Sequence, residues 1–268
     1  MSSPSASVPS AAASQDPGVA ENPAIVSACV IVIGNEILSG RTRDANLGFL
    51  AEQLTGIGVW LMEARVVPDI EAVIVETLNE VRHRFDYVFT TGGIGPTHDD
   101  ITSASVAKAF GVPCTLHPEA HALLKAHYAE GQLNEARLRM AHTPEGATLI
   151  ENPVSTAPGF QIGNVFVMAG IPSVMQAMFE SLKPCLTGGT PVRSVTLAVS
   201  LPEGTIAQGL GAAQDRFADV EMGSYPYRTG DRFGVRIVLR SVDEVLLEAA
   251  VEAVSEMIRE LGDEPTRE

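Results

Sequence analysis

The chain reads as an α/β protein: a three-layer domain around a mainly parallel sheet, followed by a small α+β domain. Three observations predict this. Residues 25–33 form a near-continuous apolar run, IVSACVIVI, the pattern of a strand buried on both faces. Strand-like and helix-like stretches then alternate as far as Thr90, which implies right-handed βαβ crossovers. A Pro- and Gly-rich stretch at Lys183–Pro191 precedes a second run of strand and helix patterns.

Each element has its own signal. Gly34-Asn35-Glu36 breaks the first strand. Asp44 is placed to cap a helix carrying Leu47, Leu50, Leu54 and Ile57, which Gly56 and Gly58 close. Val59–Val67 is a second strand. Pro68-Asp69 opens a helix with Val73, Ile74, Leu78 and Val81, and Tyr87–Thr90 is the third strand. Residues 117–142 read as helical, with Leu123, Leu124 and Leu138 on apolar faces. Ala147–Ile150 and Val165–Met168 are further strands, and Gly163-Asn164 is a hairpin turn after Phe160-Gln161-Ile162. Pro172 opens a helix with Met175, Met178, Phe179 and Leu182. Beyond the stretch 183–192, read as a linker, residues 193–268 give strand, helix, two strands and a closing helix. Residues 25–182 thus form the first domain and 193–268 the second. The tail 1–24 is rich in Ser, Ala and Pro, without the apolar surface to order itself or the basic and apolar regions of a secretory signal.

Composition excludes some functions. Lys and Arg number 18 against 33 Asp and Glu, a formal net charge of -15, and no basic stripe offers a nucleic-acid surface. No apolar run approaches the ~20 residues of a membrane span. Three scattered cysteines, Cys29, Cys114 and Cys185, suit a reducing compartment, so a cytoplasmic protein is expected.

The chemistry concentrates in Thr90-Thr91-Gly92-Gly93-Ile94-Gly95-Pro96-Thr97-His98-Asp99-Asp100-Ile101-Thr102. A strand, a glycine-rich turn and a helix start follow one another, an order that gathers backbone N–H groups where an anion can sit. Neither a dinucleotide G-x-G-x-x-G nor an NTPase P-loop is present, and no lysine closes a glycine loop. Asp99 and Asp100 would repel a bare phosphate, so a bridging divalent cation such as Mg²⁺ is the natural supplement. Asp44, Asp69 and the Asp99/Asp100 pair each follow a successive strand, at the sheet edge where ligands bind. The plainer reading makes the turn a tight βα connection, Thr102 a helix cap, and Asp44 and Asp69 caps as well. His98, inside the turn, is a candidate for contact with phosphate or sugar, and Arg41 and Arg43 flank the first loop.

Gly34-Asn35-Glu36-Ile37-Leu38-Ser39-Gly40, then Asp44-Ala45-Asn46, then Thr91 to Thr102 resemble the molybdopterin-binding domain family of molybdenum-cofactor biosynthesis. More narrowly they resemble the amino-terminal part of the competence/damage-inducible protein A family. Glu151-Asn152, Ala157-Pro158-Gly159-Phe160, Gly170-Ile171-Pro172-Ser173 and Tyr225-Pro226 extend the likeness. Members often read P-G-x-P-x-E-M where this chain has Ala169-Gly170-Ile171-Pro172-Ser173-Val174-Met175, and often carry Asp at the position of Asn35. The resemblance implies a pterin phosphate or an adenine nucleotide as ligand, and self-association as a dimer or trimer. It also implies a metal-dependent cleavage of ADP-ribose-like nucleotides at the pyrophosphate. The amidohydrolase domain that longer members append is not expected. By carry-over, Gly34, Glu36, Asn46, Gly92, Gly93, Gly95, Thr97, His98, Pro172 and Ser173 would contact the ligand. Asp69 and Asp100 would be catalytic, and Asp44, Asp99 and Asp100 would serve the metal.

Overall fold

The computed structural model describes residues 25–229 and 232–268; the expected tail 1–24 lies outside the described residues. The elements run β1 (Val26–Ile33), α1 (Asn35–Leu38), α2 (Asn46–Gly56), β2 (Val59–Val67), α3 (Glu71–Val81), β3 (Tyr87–Thr91) and α4 (Thr102–Phe110). Next come β4 (Cys114–Leu116), α5 (Pro118–His127), α6 (Glu135–Leu138), β5 (His142–Pro144), β6 (Thr148–Ile150), β7 (Gly159–Ile162), β8 (Val165–Met168) and α7 (Pro172–Leu182). The second unit has β9 (Arg193–Val199), α8 (Glu203–Arg216), β10 (Glu221–Thr229), β11 (Arg232–Ser241), α9 (Glu244–Glu260) and β12 (Thr266–Arg267).

The main sheet is six-stranded, in the order β2-β1-β3-β8-β7-β6. β2, β1, β3 and β8 pair in parallel, and β7 and β6 extend the sheet antiparallel. Period two along β1 makes the three layers. Ala28, Val30 and Val32 join Leu50 and Leu54 of α2 and Met175, Met178 and Phe179 of α7 in one core. Cys29, Ile31 and Ile33 join Ile74 and Leu78 of α3 and Val106 and Ala109 of α4 in the other. The continuous apolar run of β1 is therefore two alternating half-runs, one for each helical layer. Among the described residues no helix is long and apolar enough to cross a membrane.

The order places a ligand crevice. The chain leaves β1 through α2 on one face and leaves the neighbouring β3 through α4 on the other. Their carboxyl ends, Ile33 and Thr91, thus form the point where connections diverge and a crevice opens.

Residues 117–142 depart from the single helical stretch that their spacing predicts. α5 ends at His127, Gly131 sits at φ 78°, and Asn134 restarts the chain as α6 by accepting a bond from Arg137 N at 3.0 Å. A 3₁₀ turn, Arg139–Ala141, then leads into β5. A left-handed glycine and a fresh N-cap outweigh the apolar periodicity here. In the second unit β10-β11-β9-β12 form an antiparallel sheet, with Val195, Leu197, Ile237 and Leu239 packed on Ile206, Leu247, Val254 and Ile258 of the two helices. The stretch read as a linker lies against the first unit: Gly189 N donates to Gly58 O at 3.1 Å and Tyr87 Oη donates to Thr187 O at 3.1 Å.

Candidate functional site

A cavity of about 460 Å³ opens at the divergence point, with walls from the segments after β1, β3, β6 and β8. Glycine builds its floor. Gly92 has φ 105° and Gly93 φ 70°, a region L side chains rarely adopt. A Cβ on Gly92 would collide with the Ile33 carbonyl oxygen, and one on Gly93 with the Thr102 hydroxyl. Gly170 brings the loop after β8 close to this floor, since its Cβ would lie 3.2 Å from Gly92 Cα, a tight contact rather than a collision. Three backbones therefore meet where side chains have little or no room.

Thr102 holds this floor in place. It is fully buried, and its hydroxyl donates to Gly92 O at 2.9 Å while its N–H donates to Gly93 O at 3.0 Å. The expected helix cap is thus corrected: the residue preceding α4 is Ile101, without a side-chain cap, and the Thr102 hydroxyl reaches back to the turn. Gly92 N is used by Met168 O. The N–H groups of Gly93, Ile94 and Gly95 have no hydrogen-bond partner among the described residues, and all three residues line the cavity.

Two carboxylates reach the walls. Glu36 lies over Gly34, whose Cβ would sit 2.6 Å from its Oε1. Asp100 lies over Gly95, whose Cβ would sit 2.6 Å from Oδ2. The same Oδ2 accepts from Thr97 N at 2.8 Å and from Thr97 Oγ1 at 2.5 Å, which fixes the carboxylate over the glycine turn.

The other expected residues, Pro172 apart, stand outside the cavity walls. Asp44 accepts from Leu47 N at 2.8 Å and so acts as a cap of α2. Asp69 takes no N–H of α3 among the described residues; its carboxylate instead accepts from Asn35 N at 2.8 Å and ties the β2 end to α1, which carries Glu36. Asn46, buried, donates from Nδ2 to Gly170 O at 2.8 Å. His98 is 94% exposed and 3.9 Å from the Asp99 carboxylate. Pro172 lines the cavity, whereas the exposed Ser173 does not. Among the described residues no group of three or more His, Cys, Asp or Glu is placed to hold a metal ion.

Sequence reasoning leaves out one wall. Asn152 and Ser155 line the cavity from the β6–β7 connection. The Asn152 side chain makes four bonds within that connection: Nδ2 donates to Ser155 Oγ and Ala157 O, both at 2.7 Å, and Oδ1 accepts from Val154 N and Ser155 N at 3.1 Å. The readable signal is Asn152-Pro153-Val154-Ser155, an Asx-turn composition between two strand patterns.

With this geometry in view, the likenesses are specific. A model of a probable molybdopterin binding domain matches residues 29–188, and a model of the middle domain of FAD synthase matches 191–262. A protein of Aeropyrum pernix is 36% identical over 255 residues, spanning 88% of this chain and 94% of that protein. A protein of Thermococcus kodakarensis is 36% identical over 238 residues, spanning 83% and 94%. The crystal structure of CinA from Thermoplasma acidophilum, a protein described as of unknown function, superimposes with a TM-score of 0.57 at 35% identity, over 60% of this chain and 98% of that one. The chain therefore belongs to the molybdopterin-binding domain family of CinA-like proteins, with a module similar to the FAD synthase middle domain following it.

Proposed function

We propose that the chain binds a phosphorylated small molecule, a pterin phosphate or an adenine nucleotide, at the carboxyl edge of its parallel sheet. The observation that carries this reading is the unpartnered N–H row of Gly93, Ile94 and Gly95 on the cavity wall. Partially positive N–H groups at a glycine turn complement a phosphate, and left-handed glycines let it approach the backbone. The volume of about 460 Å³ suits a pterin or nucleotide. Calorimetric titration of the full chain with molybdopterin, AMP, ADP and ADP-ribose tests it; no heat from any of them would remove the reading. The likeness of residues 191–262 to the FAD synthase middle domain makes the adenine nucleotides the first arm.

A second reading, metal-dependent cleavage of an ADP-ribose-like pyrophosphate, is favoured by one observation: the wall carries the carboxylates of both Glu36 and Asp100. Mg²⁺ keeps several waters and bridges phosphate oxygens, so one or two carboxylates suffice for it without an all-protein cage. Glu36 and Asp100 would hold the ion, which would neutralise charge on the phosphates. Asp44 and Asp69 would support the walls from behind through their bonds to Leu47 and Asn35. Release of AMP from ADP-ribose, with and without Mg²⁺, separates turnover from binding.

A further inference from the structure

The cavity continues past Asp100. A second hollow of about 320 Å³ shares Ile94, Gly95 and Asp100 with the first and runs on to Arg139 and His142. Its chemistry is different. The ionisable groups of the first hollow are carboxylates, whereas the second adds, besides the Cys114 thiol, a guanidinium and an imidazole.

Both added side chains leave the same turn. α6 passes through the 3₁₀ turn Arg139–Ala141 into β5, which puts Arg139 and His142 at the two ends of one short segment. Arg139 has one bond, from Nη1 to Thr97 O at 3.5 Å, and no carboxylate within ion-pair distance among the described residues. Most of its N–H donors have no partner among the described residues. His142 Nδ1 lies 3.0 Å from Leu138 O. A carbonyl only accepts, so Nδ1 carries a proton, and Nε2 is left without a partner among the described residues. Thr97 joins the two hollows: its carbonyl takes Arg139, and its N–H and hydroxyl take Asp100.

We propose that the second hollow is an anion subsite for a further phosphate of the same ligand, with Arg139 as its specificity-determining residue. This rests on the reading that the Gly93–Gly95 edge takes the first phosphate. The planar guanidinium fork matches two oxygens of a terminal phosphate. It also answers the electrostatics, because a second phosphate beside Asp100 meets a carboxylate, and Arg139 supplies the compensating charge. A nucleoside diphosphate, with one phosphate on each side of Asp100, then fits better than a monophosphate.

The test is calorimetric titration of AMP and of ADP into the full chain and into Arg139→Gln, at fixed ionic strength and fixed Mg²⁺. Loss of a charge-assisted bidentate contact predicts that ADP binds the unmodified chain about tenfold or more tighter than AMP, and that Arg139→Gln removes this advantage while AMP binding stays within about twofold. Arg139→Lys keeps the charge but loses the fork, so it retains part of the advantage. Arg139 is exposed, and unchanged melting temperatures will show that the variants fold. Equal affinity of the unmodified chain for AMP and ADP, or equal weakening of both in Arg139→Gln, would overturn the subsite and leave the first cavity's reading standing. Failure of both nucleotides to bind the unmodified chain would remove the nucleotide reading and the subsite together.

Discussion

The Asn46 amide donates to the Gly170 carbonyl at 2.8 Å across 124 residues of sequence. This bond joins the first turn of α2 to the loop before α7, whose Gly170 lines the cavity. Asn46 is 4% exposed, and its Oδ1 has no partner among the described residues. Asn46→Ala leaves the Gly170 carbonyl unpaired, which costs about 1–3 kcal/mol. For a chain of this size that lowers the melting temperature by about 2–10 °C. Asn46→Asp keeps the size but turns a carboxylate oxygen toward the carbonyl, so its loss at neutral pH exceeds that of alanine. Thermal unfolding of the two variants checks the order; an aspartate variant as stable as the original chain would remove the bond from the fold.

Glycine substitutions separate backbone strain from steric exclusion. Gly40 and Gly92 both have positive φ, 69° and 105°. A Cβ on Gly40 meets nothing within 4 Å, whereas one on Gly92 collides with the Ile33 carbonyl. Gly40→Ala therefore carries only the left-handed penalty, about 1–2 kcal/mol. Gly92→Ala must also push apart the ends of β1 and β3, and is expected to lose well over twice that stability or to fail to fold. Urea unfolding measures both, and similar midpoints for the two variants would contradict the close approach at Gly92.

How much of this was legible depends on sequence distance. The layers were legible because β1 is buried on both faces and because each helix repeats its apolar residues at three and four. The glycine turn was legible because Thr91 to Thr102 lie together in the chain and the left-handed backbone at 92 and 93 favours glycine. The partner of Asp69 was not. Asn35 is 34 residues away and comes into reach only when β1 and β2 lie side by side, so capping looked sufficient. Arg139 and His142 were hidden by the helical reading of 117–142, because Gly131 and Asn134 move them off a helix face and onto a turn. β12, at two residues, has no periodicity to read.

The three thiols differ in surroundings, and their reactivity should follow. Cys185 is exposed, Cys114 partly covered and Cys29 fully buried in β1. Burial, with a smaller contribution from Glu63, pushes the Cys29 thiol up to about 12, and burial raises Cys114 as well. The thiolate is the reactive form. A chromogenic disulfide reagent at pH 8 should therefore label Cys185 first, Cys114 more slowly and Cys29 only after unfolding. With the folded value above the ordinary 9.0, the Cys29 contribution is complete below pH 9 and is lost as pH rises from there toward 12. Rapid labelling of Cys29 in the native chain would show that β1 opens to solvent.

Asp100 is the ionisable residue that lines both cavities, and Asp100→Asn is the most discriminating single change. Oδ2 now accepts two bonds from Thr97, at 2.8 and 2.5 Å. An asparagine oxygen can take the same position, so the turn should survive and the melting temperature should move by a few degrees at most. The negative charge is lost. If Asp100 helps a cation bridge the phosphates, ADP affinity in the original chain rises with Mg²⁺, and in Asp100→Asn it no longer does. If the chain also cleaves ADP-ribose, the same variant should lower turnover by about 10²-fold, the scale of losing an electrostatic catalytic group. If Asp100 acts only against phosphate, without a cation, the variant should bind ADP more tightly than the original chain, because a repulsive charge has gone. Titration with ADP in the presence and absence of Mg²⁺ distinguishes these by sign. Affinity and Mg²⁺ dependence both unchanged in the variant would take Asp100 out of the binding chemistry and leave it as the residue that folds Thr97 back onto the glycine turn.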